Sequence, residues 1–168
     1  MTAWVVEQIP FGNGPLDWHE LGQPGRCGLV PGSRIVLAQQ SNSREVQTLT
    51  SCFVEAGHPD LSFDGQRLLF VGRKEGERGT AVWERVLESG EVRRVVETPD
   101  ECDAVVYLSS VYSLDAEAPV DLIAFRARSA GVGGPQLFTC RTDGSDVRQI
   151  TYYPGGVGKP MVLDDGRL

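Results

Sequence analysis

The chain has 168 residues and a formal net charge of -7, and 40% of its residues are apolar. A chain of this length and composition can bury a sizeable hydrophobic core, which excludes an intrinsically disordered protein and a small fold that depends on disulfides. Because the balance is acidic and no long run of Lys and Arg occurs, nucleic acid and anionic membranes are not expected as partners.

Compartment and redox state follow from two further patterns. No stretch approaches the roughly 18 apolar residues of a membrane-spanning helix, and the visible start lacks a basic segment before an apolar one, which predicts a cytoplasmic protein. Four cysteines are widely spaced, without a C-x-x-C pair: Cys27, Cys52, Cys102 and Cys140. Zinc and haem motifs are therefore absent, and we expect no metal or other cofactor. Thiols are expected, with one disulfide as the alternative if the natural protein is exported.

An internal repeat organises most of the chain. Shifts of 46 and 55 positions each align the sequence with itself, and a third shift of 101 positions is the sum of the first two. The matched positions include Val36 with Val82, Phe70 with Phe125, Gly57 with Gly158, and Pro59 with Pro160. Three mutually consistent registers indicate repeated structural units rather than chance similarity.

The predicted elements follow this repeat along the chain. Residues 1–32 match no pattern, so the structure of this N-terminal segment is left open. Short β-branched and aromatic runs between turn residues predict strands near 68–71, 81–83, 92–96, 122–125, 136–138 and 147–150. In chain order the units are an outer hairpin (33–50), a complete blade (57–96), a second blade with an insertion near 111–121 (103–151), and the start of another blade (158–168).

The fold class follows from the size of the unit. Four short strands in about 46 residues are typical of one propeller blade. The sequence therefore predicts an all-β, partial β-propeller of four-stranded antiparallel blades, with about two complete blades plus parts of two others. Since a closed propeller needs at least about four blades, we expect a piece of a longer protein. Self-association through open blade edges is the alternative.

The repeat resembles the TolB-like β-propeller family. The matching residues are Leu49-Thr50, Pro59, Asp64-Gly65, Leu69-Phe70, Val82-Trp83, Leu137-Phe138, Asp143-Gly144-Ser145, Arg148-Gln149-Ile150-Thr151, Pro160 and Asp165-Gly166-Arg167-Leu168. The resemblance covers residues 33–168 and departs from the family in the middle copy, where Val105 replaces the proline and the Asp-Gly turn is missing. It implies a propeller fold and, in contrast to the visible N-terminus, export to the periplasm.

Motifs for catalysis or ligand binding are incomplete. Residues 60–65 resemble the opening of a calcium loop, but Val71 stands where a bidentate Glu is needed. Residues 154–160 resemble a phosphate loop, but Pro160 occupies the position of the hydroxyl that binds magnesium. The serine hydrolase motif G-x-S-x-G does not occur. We therefore expect a protein that is not an enzyme.

The functional prediction rests on one rim of the propeller, where linkers between blades meet. The residues predicted there include Phe53, His58, Arg73, Lys74, Asp103, Tyr152 and Tyr153. From them we select His58, Asp103, Tyr152 and Tyr153 as candidates for binding a protein or peptide partner in a scaffolding role. A packing role between two blades is the alternative for the tyrosines.

Two other functions stay open at this point. The blades also resemble the propellers that gate some prolyl-oligopeptidase-like serine peptidases, whose hydrolase domain would be absent from this sequence. A site for a small ligand or metal in the propeller channel is the third reading.

Overall fold

The computed structural model describes residues 3–8, 28–39, 42–97, 101–112, 117–128, 133–163 and 166–168. These residues form antiparallel strands, turns and loops, and none of them lies in a helix. The strands are β1 (Ala3–Gln8), β2 (Arg34–Gln39), β3 (Asn42–Thr48), β4 (Glu55–Leu61), β5 (Arg67–Arg73), β6 (Ala81–Val86), β7 (Val92–Val96), β8 (Cys102–Tyr107), β9 (Leu122–Ala127), β10 (Gln136–Arg141) and β11 (Arg148–Gln149). No helix of the described part is thus long and apolar enough to cross a membrane.

The strands form three separate sheets. Their orders are β1-β2-β3, β4-β5-β6-β7 and β11-β10-β9-β8, and every pairing within them is antiparallel. None of the sheets closes on itself, and each of the two four-stranded sheets is built from consecutive strands. The prediction of an all-β, partial propeller with four-stranded blades is confirmed.

The middle sheet is buried on both faces because its side chains alternate. In β5, Leu68 and Phe70 belong to a cluster shared with the first sheet, whereas Leu69 and Val71 belong to a cluster shared with the third sheet. All four side chains are fully buried. A strand with apolar residues at every position therefore fits between two neighbouring sheets, since successive side chains point to opposite faces.

Tight turns connect the strands where Asp-Gly pairs stand. Gly65 has a φ of 67° and its N–H donates to the carbonyl of Ser62 at 2.8 Å. Gly144 has a φ of 88°, and a Cβ there would lie 2.0 Å from the carbonyl oxygen of Val95 in the middle sheet. Glycine is thus needed at the second turn both for its backbone conformation and for the close approach of two sheets.

Two segments add detail to the sequence prediction. Strand β1 lies within the N-terminal segment whose structure the sequence left open, and it pairs with β2 so that Val5 faces Leu37. In the third sheet the insertion begins with a bridge between Val111 and Val120, and residues 113–116 lie outside the described ranges. One β-bridge therefore joins the two ends of the longer loop in this copy.

Three of the four cysteines lie in the described ranges. Cys52, Cys102 and Cys140 form no disulfide, and the last two are buried in strands. Cys27 lies outside the described ranges.

Candidate functional site

His58 lies at an irregular point of an innermost strand. The register of β4 against β5 shifts between Gly57 and Asp60, and His58 has a φ of 52°, which is left-handed. Its backbone N–H donates to Oε2 of Glu7 at 2.9 Å, and its Nε2 lies 2.6 Å from Nζ of Lys159. A Cβ at Gly57 would lie 2.5 Å from Oε1 of Glu7, so the glycine lets the carboxylate from the first sheet approach β4. The β-bulge directs His58 toward neighbouring elements.

Asp103 lies at a similar irregularity of the next innermost strand. The register of β8 against β9 shifts between Cys102 and Ala104. Asp103 is 1% exposed, and its Oδ1 and Oδ2 accept hydrogen bonds from Nε and Nη2 of Arg126 at 2.8 and 2.5 Å. Arg126 is also buried, and its Nη1 donates to the carbonyl of Val157 at 2.9 Å. A buried carboxylate needs such a two-point partner, because an isolated charge is very unfavourable away from water.

These side chains form one group, which we term the central polar cluster: Glu7, His58, Asp103, Arg126 and Lys159. Burial is the largest cause that lowers the pKa of His58, and the cations of Lys159 and Arg126 lower it further. Glu7 and Asp103 act in the opposite direction. The structure therefore brings two of the four predicted residues, His58 and Asp103, into one electrostatic environment.

The other two predicted residues, Tyr152 and Tyr153, lie in the linker that follows β11. Their side chains are 70% and 65% exposed. The fully buried Gln136 holds the backbone beneath them, because its Oε1 accepts from the N–H of Tyr153 at 3.1 Å and its Nε2 donates to the carbonyl of Tyr153 at 2.6 Å. The Tyr152 hydroxyl donates to the carbonyl of Gln149 at 3.2 Å. We term Tyr152 and Tyr153 the tyrosine pair.

One linker, residues 151–163, joins the tyrosine pair to the central polar cluster. Between them, the N–H of Val157 donates to the carbonyl of Pro135 at 2.8 Å, and the Val157 carbonyl accepts from Arg126. Lys159 then reaches His58. The linker therefore contacts the third sheet first and the second sheet afterwards.

Sequence reasoning missed three members of the cluster: Glu7, Arg126 and Lys159. The repeat could have indicated Lys159, because the shift of 101 positions aligns it with His58, between the matched glycines and prolines. Arg126 continues an apolar strand, and its partner comes from a neighbouring strand. Glu7 lies in the segment for which no pattern was found.

Other residues predicted for the rim have different surroundings. Phe53 is 3% exposed and packs edge to face against Trp83, with ring centroids 5.1 Å apart, so its side chain belongs to the core and not to an exposed binding surface. Lys74 covers this core from outside, with Nζ 4.3 Å from the Trp83 ring centroid. Arg73 Nε donates to Oε1 of Glu55 at 2.9 Å.

The segment that resembles a calcium loop forms hydrogen bonds with protein groups. Asp60 Oδ2 accepts from the N–H of Tyr107 at 2.7 Å, and Asp64 Oδ1 accepts from the Ser62 hydroxyl at 2.5 Å and from the N–H of Gln66 at 2.9 Å. Hydrogen bonds to Ser62 and Gln66 lower the pKa of Asp64. Within the described ranges, no group of three or more His, Cys, Asp or Glu residues is arranged to hold a metal ion.

Comparison with known structures shows which solved proteins have a similar architecture. The chain superimposes on hydrazine synthase from Kuenenia stuttgartiensis with a TM-score of 0.69 at 21% identity, over 82% of this chain and 24% of that chain. TolB from Acinetobacter baumannii gives a TM-score of 0.54 at 19% identity, over 80% and 30% of the two chains. A putative TolB from Agrobacterium tumefaciens gives 0.52 at 17% identity, over 70% and 40%. The chain has a TolB-like β-propeller fold.

Sequence comparison adds one relative. No family model matches the chain. The hydrazine synthase subunit alpha of Kuenenia stuttgartiensis is 29% identical over 79 residues, which are 47% of this chain and 10% of that protein. The TolB-like chain thus spans about a tenth of this relative and 24% to 40% of the matched structures. These identities support the fold, and the resemblance drawn from the sequence is confirmed at that level.

Proposed function

We propose that the chain is a non-catalytic interaction module, in which blades of a TolB-like propeller bind a protein or peptide partner through the tyrosine pair. The observation that carries this proposal is the contrast between the exposed tyrosine side chains and the backbone beneath them, which is held in place. Both tyrosine side chains are largely exposed, while Gln136, which is buried beneath them, hydrogen-bonds to the N–H and the carbonyl of Tyr153.

Such an arrangement favours binding for two physical reasons. Tyrosine offers a large, amphipathic contact area with few rotatable bonds, and it is enriched among the residues that contribute most to protein interfaces. A backbone that is already held in place also loses less conformational entropy when a partner binds. The buried glutamine therefore supplies preorganisation, and the exposed rings supply contact area.

The comparison with hydrazine synthase supports the same class of function. That relative is named a subunit, and the part of it that is similar to this chain is a small share of its length. By analogy, we propose that these blades serve as one part of a larger assembly.

Site-specific photo-crosslinking in cells of the source organism tests the proposal. A photoreactive phenylalanine analogue replaces Tyr152 in one variant and Tyr112 in a control, since Tyr112 is 82% exposed in another loop. We expect the Tyr152 variant to crosslink to one protein, identified by mass spectrometry, and the control to give no such product. The same crosslink should be lost when Tyr153→Ala is added. Equal crosslinking of that protein from both positions would contradict the proposal.

A further inference from the structure

The contact between His58 and Lys159 depends on a proton. Lys159 Nζ lies 2.6 Å from His58 Nε2, and a lysine ammonium group has only donors. An imidazole nitrogen accepts a hydrogen bond only when it carries no proton. The contact therefore needs neutral His58, with its proton on Nδ1 and the lone pair on Nε2.

Protonation of His58 would remove this lone pair and place two cations against each other. The charged groups that face His58 are Glu7 from β1, Asp103 from β8, Arg126 from β9 and Lys159 from the linker. Asp103 already accepts two hydrogen bonds from Arg126, and Glu7 accepts from the His58 backbone. The side chain that must move away from an imidazolium is therefore Lys159, which lies in an exposed part of the linker.

The backbone around the contact indicates that His58 is held in place. A left-handed φ of 52° is unfavourable for a residue with a Cβ, and it occurs where β4 bulges. On the other side, Val157 ties the linker to the third sheet through Pro135 and Arg126. Loss of the Lys159 contact would therefore remove one tie between the linker and the second sheet, while Val157 stays bound to the third.

We propose that His58 and Lys159 form a proton-sensitive clasp. The clasp holds the linker, residues 151–163, against the second sheet, and it opens when His58 is protonated. The clasp joins elements that are about 100 residues apart in the sequence (58 to 159), so a single proton controls a contact between non-adjacent parts of the propeller. This inference does not depend on partner binding by the tyrosine pair.

Nuclear magnetic resonance titration of the whole chain tests the contact itself. In Lys159→Met the pKa of His58 should rise, because a neighbouring cation is removed, and Lys159→Gln should give the same change. Lys74→Met is the matched control, since Lys74 is the only other lysine in the sequence and lies against Trp83. It should leave the pKa of His58 unchanged. An unchanged pKa in both Lys159 variants, with native spectra, overturns the proposal.

Backbone nitrogen relaxation measured by nuclear magnetic resonance tests the consequence of opening. The heteronuclear NOE values of Gly158, Lys159 and Met161 should fall between pH 7.5 and pH 5.5, because this part of the linker gains mobility when the contact is lost. In His58→Gln the fall should disappear, because a glutamine oxygen accepts from Lys159 at either pH. Val157, whose N–H donates to the carbonyl of Pro135, serves as the internal control and should keep its value. A fall in His58→Gln as large as in the wild type would refute the clasp.

Discussion

At the scale of single residues, Asp103 and Arg126 form an ion pair in which both side chains are buried. Their side chains are 2% and 3% exposed, and two hydrogen bonds join them. Removing one partner of such a pair leaves an uncompensated charge away from water, whereas an exposed pair contributes little to stability. The same contrast can be measured within this chain, because Arg148 and Asp146 form an ion pair with side chains that are 72% and 44% exposed.

Arg126→Met should therefore lower the free energy of unfolding by about 3–5 kcal/mol, since it leaves Asp103 buried without its cation and also removes the hydrogen bond to the Val157 carbonyl. Arg148→Met should lower it by less than about 1 kcal/mol. Urea denaturation followed by circular dichroism measures both values. Equal losses in the two variants would show that burial does not distinguish the two pairs.

His58 should make stability depend on pH. Burial, followed by the cation of Lys159, lowers its pKa below the value of about 6.5 expected in the unfolded chain. The unfolded chain then binds more protons in mildly acidic solution, so this contribution to stability is present above pH 6.5 and is lost as pH falls through the folded pKa.

Urea midpoints between pH 5 and pH 8 measure this effect. As pH rises, the urea midpoint of the wild type should increase relative to that of His58→Gln. The comparison isolates His58, because Asp60, Asp64 and the other carboxyl groups titrate in both proteins. A difference that stays constant over this range would contradict the shift in the pKa of His58.

Residue patterns revealed only part of the central polar cluster. His58 and Asp103 could be selected because the repeat predicts them in linkers on one rim, whereas the structure places them in strands β4 and β8. The bulges that direct them, and the pairing of Asp103 with Arg126, depend on strand register and on a neighbouring strand. A repeat in a single sequence does not encode these contacts, although it does align Lys159 with His58.

At the scale of elements, the side chains of β5 point alternately to the first sheet and to the third sheet. Leu68 packs toward the first sheet and Leu69 toward the third, and both side chains are fully buried. Consecutive residues of one strand therefore stabilise two different contacts between blades. Because neighbouring units of a repeat protein depend on each other, damage at either contact should lower the stability of the whole chain.

Leu68→Ala and Leu69→Ala should each lower the free energy of unfolding by about 2–5 kcal/mol, through lost burial and a cavity in the core. Phe63→Ala is the control, because Phe63 is 75% exposed in the turn before β5, and it should cost less than about 0.5 kcal/mol. Chemical denaturation of the three variants provides the comparison. A small loss for only one of the leucines would mean that its sheet contact contributes little.

The strands that sequence reasoning located share one property. Each lies in the repeat and combines β-branched or aromatic residues with flanking turn residues, as in β5, β6 and β7. Strand β1 has a similar composition, but it lies outside the repeat and is separated from β2 by a long segment. Its pairing with β2 is therefore a tertiary contact, which no local pattern predicts.

At the scale of the whole molecule, the three sheets and two clusters between them give the TolB-like propeller architecture. The repeat predicted this arrangement because the number of strands and the spacing of their turns define a blade. The partner and the role of the chain in a larger assembly stay proposals, since sites on a propeller vary independently of its fold. Self-association through the edges of the sheets stays a prediction as well.

The most direct test of the proposed function is a binding titration with the purified protein that crosslinks at position 152. In the double variant Tyr152→Ala, Tyr153→Ala, the Kd should increase by at least roughly 30-fold, which corresponds to about 2 kcal/mol for an interface residue of this kind. Tyr112→Ala should bind as the wild type does. An unchanged Kd in the double variant would contradict the account, because it would mean that the exposed tyrosines do not contact the partner.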